Sequence, residues 1–362
     1  PCKETNTGSI TGTITGGTLP VTIAIDPPVS ASVTGPNFSF ANLAIGSYNV
    51  IATDLNGCTT QQTFIIEKDS CPCDTCYSLY DKNWHFGFNS SLSFPASGPP
   101  VVGGSSIQTA AGCATISDDC GALLFYTDGV KVWNKNGVQM SNGFGLFGHT
   151  GSSQSALIVQ KPGSANLYYI FTSAIVAATG INYSVVDMSL NSGLGDVTTK
   201  NTPLLANATE KLAAVANKNG TGIWVITHEF GNNNFKAFLF TASGLSNTVT
   251  SSIGINHAGS VLQRIGSMKI SPDGTKLAVA MYHTENKVEV LSFDNTTGSV
   301  TGSLKNYQLT LANDNPHGVS FSPNGKLLYV ACWSLSGVQG HVYQYDLADV
   351  TNTPFPVATG SA

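Results

Sequence analysis

Apolar and polar residues alternate in short runs along this chain, and the clearest run occurs twice. Ile270-Ser271-Pro272-Asp273-Gly274-Thr275-Lys276-Leu277-Ala278-Val279-Ala280 reappears 51 residues later as Phe321-Ser322-Pro323-Asn324-Gly325-Lys326-Leu327-Leu328-Tyr329-Val330-Ala331. Each copy is an apolar strand, a Pro-Asp-Gly or Pro-Asn-Gly turn whose glycine accepts the positive φ that other residues resist, and a second apolar strand. The pattern predicts a β-hairpin, repeated.

One hairpin cannot bury its own faces, so hairpins spaced by roughly 40 to 50 residues predict radial stacking as blades of a β-propeller. Weaker copies extend the series. Gly220-Thr221-Gly222-Ile223-Trp224-Val225-Ile226-Thr227-His228, Asn166-Leu167-Tyr168-Tyr169-Ile170-Phe171 and Gly121-Ala122-Leu123-Leu124-Phe125-Tyr126 have the same turn-then-strand form at spacings of 45 to 55 residues. Five blades are expected, at about 112–150, 153–200, 211–250, 264–305 and 316–350. A closed ring takes typically four to eight blades, and beyond Val342-Tyr343-Gln344-Tyr345-Asp346-Leu347 only enough chain for one outer strand remains, from Asn352 to Ala362. We therefore expect an all-β propeller that is incomplete in this chain and reaches six or seven blades, seven being preferred, in a longer natural protein.

Residues 1–68 alternate with period two in Ser9 to Thr15, Val21 to Ile25, Phe38 to Phe40, Ser47 to Ala52 and Thr63 to Ile66, with Gly, Pro and Asn turns between them. This predicts an immunoglobulin-like β-sandwich. A Cys-rich linker at 69–79 leads into the propeller at 80–362. Cys2 and Cys58 are placed to tie the ends of the sandwich, two buried thiols being the alternative. Cys71-Pro72-Cys73-Asp74-Thr75-Cys76 reads as a disulfide-stapled linker, because a zinc site needs four ligands and Pro72 stiffens the segment. Cys113 and Cys120 flank the first hairpin and would pair with each other or with the linker, while Cys332 sits in an apolar strand as a buried thiol.

Composition narrows the setting. Only 10% of residues are charged, against about 25% in ordinary soluble domains. The formal net charge is −5 and no cationic cluster exists, which argues against nucleic acid as a partner. No window of 18 apolar residues is present, so no helical membrane span is expected. Eight cysteines in a neutral chain rich in Gly, Ser, Thr and Asn point to an oxidising, extracellular compartment. The chain starts at Pro1 without an initiator Met, which reads as a processed protein or a piece of a longer one.

Two stretches resemble known families. Gly16-Gly17-Thr18-Leu19-Pro20-Val21-Thr22, Leu43-Ala44-Ile45-Gly46-Ser47-Tyr48-Asn49-Val50 and Thr53-Asp54-Leu55-Asn56-Gly57-Cys58 resemble the SprB-type repeat, an immunoglobulin-like unit strung in tandem in surface adhesins of gliding Bacteroidota. The resemblance gives these residues structural roles, with Tyr48 in the core near a strand end. From Trp84-His85-Phe86-Gly87 onward the chain resembles propeller-bearing cell-surface proteins of the same bacteria. Leu123-Leu124-Phe125-Tyr126-Thr127-Asp128-Gly129, Val132-Trp133-Asn134, Ser152-Ser153-Gln154-Ser155-Ala156-Leu157-Ile158-Val159, Tyr183-Ser184-Val185-Val186-Asp187-Met188 and Glu210-Lys211-Leu212 carry the likeness. Such proteins belong to the gliding-motility-associated group and commonly end in sorting domains for type IX secretion. The resemblance implies location and architecture, and other surface or secretion-system proteins as partners.

In a blade of four strands, the loop before the first strand and the loop after the second share one rim. Aligning the hairpins puts Asp128, Thr172, His228, Tyr282 and Trp333 at equivalent ends of second strands, and His317 just before a first strand on the same rim. Aromatic faces with uncharged hydrogen-bonding groups suit glycan or protein ligands; blade packing is the plainer reading of the same residues. The expected function is adhesion or assembly outside the cell. The alternative is a lactonase-like hydrolase, since the repeat Asn315 to Ala331 is also similar to seven-bladed propellers that include lactonases. Glu229, His228, His283 and His317 would then act as acid-base groups. No metal-binding spacing is present on one element, and Asp118-Asp119 and Asp128-Gly129, the weak candidates for Ca2+, are explained more simply by turns. No cofactor is expected.

Overall fold

The computed structural model describes residues 8–28, 33–44, 46–66, 81–95, 97–175, 179–283, 285–309, 314–333 and 340–360. The chain divides into two compact units, residues 1–79 and 80–362. Among the described residues the regular structure is β-strand with short 3-10 turns, and no helix is long and apolar enough to cross a membrane.

In the first unit, β1 (Gly8–Thr13) pairs with β4 (Asn37–Leu43), while β2 (Thr22–Asp26), β3 (Val33–Thr34), β5 (Gly46–Thr53) and β6 (Thr59–Ile66) form a second sheet in the order β3-β2-β5-β6. Alternate residues point inward from both sheets, so Ile10, Phe38 and Phe40 meet Ile23, Ile25, Val50 and Ala52 in one core. Tyr48 is buried among them and its hydroxyl donates to the Ala44 carbonyl at 3.1 Å. The conspicuous loops meet at Asp54. Its carboxylate accepts from the main-chain N–H of Thr18, Asn56 and Cys58 at 2.9–3.0 Å, and these bonds hold its pKa below the usual range. One side chain thus joins the Gly16–Pro20 loop to the Asp54–Cys58 turn.

The second unit is a series of antiparallel meanders. The first has three strands, β7 (Asn83–Phe86), β8 (Phe88–Ser93) and β9 (Val101–Gln108). Five four-stranded sheets follow. They are β10 (Ala114–Ser117), β11 (Leu123–Thr127), β12 (Lys131–Asn134) and β13 (Gln139–Phe144); then β14 (Ala156–Gln160), β15 (Leu167–Ser173), β16 (Ile181–Asp187) and β17 (Asp196–Leu205). The next is β18 (Ala208–Ala216), β19 (Gly222–Glu229), β20 (Asn234–Thr241) and β21 (Gly244–Ser252). The last two are β22 (Met268–Ile270), β23 (Lys276–Met281), β24 (Lys287–Asp294) and β25 (Ser299–Gln308), and β26 (Asn315–Phe321), β27 (Leu327–Trp333), β28 (Gly340–Asp346) and β29 (Phe355–Gly360).

First strands pack on first strands from sheet to sheet, and among outer strands β13 packs on β17 and β21 on β25, as in propeller blades. Separate apolar clusters fill the spaces between successive sheets. Phe125 and Ile170 lie between the second and third, Phe171 and Phe240 between the third and fourth, Trp224 and Leu277 between the fourth and fifth, and Ala278 and Val330 between the fifth and sixth. Both faces of the inner strands of the second to fifth sheets are therefore covered, which is why Lys276–Met281 reads as an unbroken apolar run after its first residue.

The hairpin series locates the five four-stranded sheets and misses the three-stranded one. That sheet has no Pro-Asx-Gly turn; its first hairpin turns at Gly87, with φ of 60°, and its third strand is half Gly and Ser. It packs through His85, whose ring stacks on Tyr126 at 4.0 Å. No disulfide occurs among the described residues, so of the two expected pairings for Cys113 and Cys120 the bond to each other is absent, while the bond to the linker falls on cysteines outside the described residues. Cys113 instead packs beside Ile107, Tyr126 and Trp133, where burial and the Asp128 charge push its thiol up to about 11. Cys58 is exposed and Cys332 buried, both as thiols, while Cys2, Cys71, Cys73 and Cys76 lie outside the described residues.

Candidate functional site

The repeated turns fix where the second strands end. Ser271 Oγ donates to Asp273 Oδ1 at 2.5 Å and accepts the Lys276 N–H at 2.9 Å. Ser322, Asn324 and Leu327 repeat this arrangement at 2.7 and 2.9 Å. With the turns set at one end, the opposite ends of β19, β23 and β27 carry His228, Tyr282 and Trp333.

Irregularities in two first strands re-aim further side chains toward this end. In β26, Pro316 faces Cys332 and Gly318 faces Ala331, so His317 is an extra residue without a cross-strand partner. In β18, Ala208 faces Glu229 and Leu212 faces Thr227, leaving Thr209, Glu210 and Lys211 opposite the single residue His228. Such bulges bend a strand and redirect its side chains.

Tyr282, His317 and Trp333 come together as the alignment expected. Their ring centroids lie 6.0–6.4 Å apart, with His317 edge-on to both neighbours, and His283 lies 6.3 Å from Tyr282. Tyr282 is buried and His317 half-buried, whereas Trp333 is 49% exposed. Burial, then the Lys211 charge, lowers the His317 pKa. The group is an aromatic wall with a neutral imidazole inside it.

His228 belongs to a different, buried centre. Its Nδ1 faces the Glu229 carbonyl at 2.5 Å and must carry the proton, which leaves Nε2 as an acceptor with no partner among the described residues. Its ring stacks on His257 at 3.8 Å, and neither nitrogen of His257 has a described partner. Burial lowers the His228 pKa to about 3, and carries that of His257 well below the ordinary value with the His228 and Lys211 charges adding to it. Lys211 Nζ donates to the carbonyls of Gln263, Arg264 and Ile265 at 3.3, 3.1 and 2.7 Å, although burial pulls its pKa down to about 7. Three carbonyl acceptors match the three protons of an ammonium. Glu210 Oε2 accepts from Ser153 N–H and Oγ at 2.7 and 2.8 Å, and Gln154 bonds both Leu212 and Met268 across three sheets. These bonds make Glu210, Lys211 and Gln154 fasteners between blades.

The remaining expected residues are separate. Asp128 is buried and its Oδ1 accepts the N–H of Val130 and Lys131, a turn role; Asp118 Oδ1 does the same for Cys120 and Ala122. Thr172 is fully buried, and its hydroxyl has no partner among the described residues. Glu229 is engaged by Lys236 at 3.2 Å and by Asn232 and Asn234 at 2.8 Å, so of the four acid-base candidates only His283 and His317 share the aromatic wall. Among the described residues no three His, Cys, Asp or Glu side chains are grouped to hold a metal ion.

Sequence reasoning missed His257 and also Asp314 with His341. Asp314 is buried, accepts from His341 Nδ1 at 2.6 Å and from the Tyr343 hydroxyl, and lies one residue before β26. Nothing in local sequence marks these residues, because their partners lie 27 to 29 positions away.

No family model matches the chain, and no curated protein matches it. Solved structures with some likeness include a putative 6-phosphogluconolactonase from Bacteroides uniformis, 16% identical over 88% of this chain and 95% of that one, with a TM-score of 0.45. The periplasmic gluconolactonase of Pseudomonas aeruginosa is 11% identical over 94% and 82%, with a TM-score of 0.44. Kuenenia stuttgartiensis hydrazine synthase is 15% identical over 56% of this chain, which spans about half of that one (48%), with a TM-score of 0.36. At such values the likenesses assign neither fold nor activity, and the fold rests on the strand order above.

Proposed function

We propose that the second unit is a rigid recognition platform outside the cell, and that it holds a glycan or a protein segment against the Tyr282–His317–Trp333 wall. The exposed Trp333 ring carries this reading: a large aromatic face open to solvent beside buried aromatic neighbours is a stacking surface for the C–H face of a sugar or for an apolar side chain. The low charge favours ligands held by stacking and neutral hydrogen bonds. The first unit, read as an immunoglobulin-like SprB-type module, and the resemblance to surface proteins of the type IX secretion group support adhesion or assembly at a cell surface. Among the described residues Trp84, Phe86 and Val102 of the first sheet and Trp333 of the sixth are open, which supports the expectation of a larger ring with a further blade.

A lactonase-like hydrolase is the second reading. The observation that favours it is the Asp314–His341 pair, in which a buried carboxylate orients an imidazole whose side chain is 22% exposed. Glycan-array and peptide binding, measured beside ester and lactone hydrolysis, separates the two. Saturable binding that weakens by about 1–2 kcal/mol, roughly 5- to 30-fold, in Trp333→Ala is the expected result. Turnover abolished by His341→Ala, with binding unaffected in Trp333→Ala, would replace recognition by catalysis.

A further inference from the structure

Five sheets of the second unit have an outer fourth strand pairing antiparallel with the third, and the first sheet stops at β9. Among the described residues nothing pairs with the outer side of β9. Its sequence is Val101-Val102-Gly103-Gly104-Ser105-Ser106-Ile107-Gln108, without charge or proline. Natural edge strands are commonly protected by Lys, Pro, an inward-pointing charge or a bulge; β9 is bulged only toward its far end, where Ser105, Ser106 and Ile107 stand opposite Asn89 alone, and Val101 to Gly104 pair in regular register without any of these devices. Its far end is already engaged, since Ser106 accepts no strand but bonds Tyr126 Oη and Gly137 O, and Ile107 is buried. Residues 101–105 are the open stretch. Around it Val102 is 79% exposed and lies in a cross-strand row with Leu92 and Trp84, while Phe88 is also exposed.

We propose that the outer edge of β9 takes up an extended strand from a partner protein, which completes the first sheet to four strands. The ladder continues an arrangement made five times in this molecule, and the outer strands found there define the chemistry of the guest. Gly244–Ser252 and Ser299–Gln308 are rich in Ser, Thr and Asn with apolar residues at intervals. The partner segment is accordingly extended, nearly uncharged and hydroxyl-rich, with an apolar side chain placed to cover Val102. Main-chain hydrogen bonds supply affinity and alternate side chains supply selection, as in strand addition generally.

The probes are fluorescent peptides with the sequences of residues 244–252 and 299–308, read by anisotropy and by amide hydrogen exchange on the whole chain. The expected result is saturable binding, slowed exchange confined to residues 101–105, and roughly tenfold weaker binding in Val102→Lys, where a charge guards the edge. Val350→Lys, at a position 87% exposed and remote in sequence, leaves binding unchanged. Three results overturn the proposal. These are absence of saturable binding by either peptide, protection in the free chain of those amides of 101–105 that point away from β8, and self-association through this edge that the peptides do not compete away.

Discussion

His257 is enclosed, neither of its ring nitrogens has a partner among the described residues, its ring lies flat on that of His228, and Lys211 adds positive charge nearby. Burial therefore keeps both imidazoles neutral in the folded chain, while the unfolded chain protonates them near the ordinary value of 6.5. Because the folded pKa values are depressed, this contribution to stability is intact above about pH 6.5 and is lost progressively as pH falls, down to about 3 for His228. In that window each histidine removes about 1.4 kcal/mol per pH unit. Urea unfolding at several pH values between 7.5 and 4 should thus show a steeper acid loss for the natural chain than for His257→Phe, the difference in slope being about 1.4 kcal/mol per unit. Equal slopes would mean that His257 finds a proton acceptor in solution. At this scale the sequence is a poor guide: Asp128 and His228 stand at aligned strand ends and are both buried, yet one caps a turn and the other stacks on His257, because the partners a buried side chain meets depend on what neighbouring segments place against it.

Elements were far more legible than sites, for a reason visible in the Ser-Pro-Asx-Gly turns. Ser271 and Ser322 each bond the Asx side chain and the N–H five residues on, so the turn is specified entirely by local residues. The first sheet carries no such signal, because its hairpin relies on Gly87 alone and its strands mix Ser, Asn and Gly with apolar residues. The two matching turns offer a controlled comparison. Gly274 and Gly325 have φ of 69° and 65°, where an L side chain is strained by roughly 1–2 kcal/mol. A Cβ at Gly325 would meet only Pro272 Cδ, at 3.9 Å, whereas one at Gly274 would lie 2.4 Å from Asn295 Nδ2. Gly325→Ala should therefore destabilise by about 1–2 kcal/mol, and Gly274→Ala by more, because Asn295 must also move. Denaturant midpoints of the two variants decide this, and a smaller loss for Gly274→Ala would show that Asn295 yields freely.

Across the whole second unit, stability should fall from the middle of the stack toward its ends. The third, fourth and fifth sheets are enclosed by apolar clusters on both faces, and β15, β19 and β23 are buried almost throughout. Among the described residues the end sheets have an apolar cluster on one face. In β27, Leu328, Val330 and Cys332 are buried while Ala331 and Trp333 are open, and in the first sheet Trp84, Phe86 and Val102 are open on the side away from Tyr126. Local opening of a sheet exposes the apolar area it shares with its neighbours, at about 25 cal/mol for each Å², so a sheet with one neighbour opens more readily than a sheet with two. Amide exchange followed by mass spectrometry should accordingly rank β14–β25 as the slowest segment and β7–β9 and β26–β29 as faster. If the end sheets exchange as slowly as the middle, their open faces are covered in solution, and the same experiment repeated over a range of concentrations then identifies the cover. Protection that grows with concentration means a second copy, and protection independent of concentration means that the two end sheets close on each other within one chain.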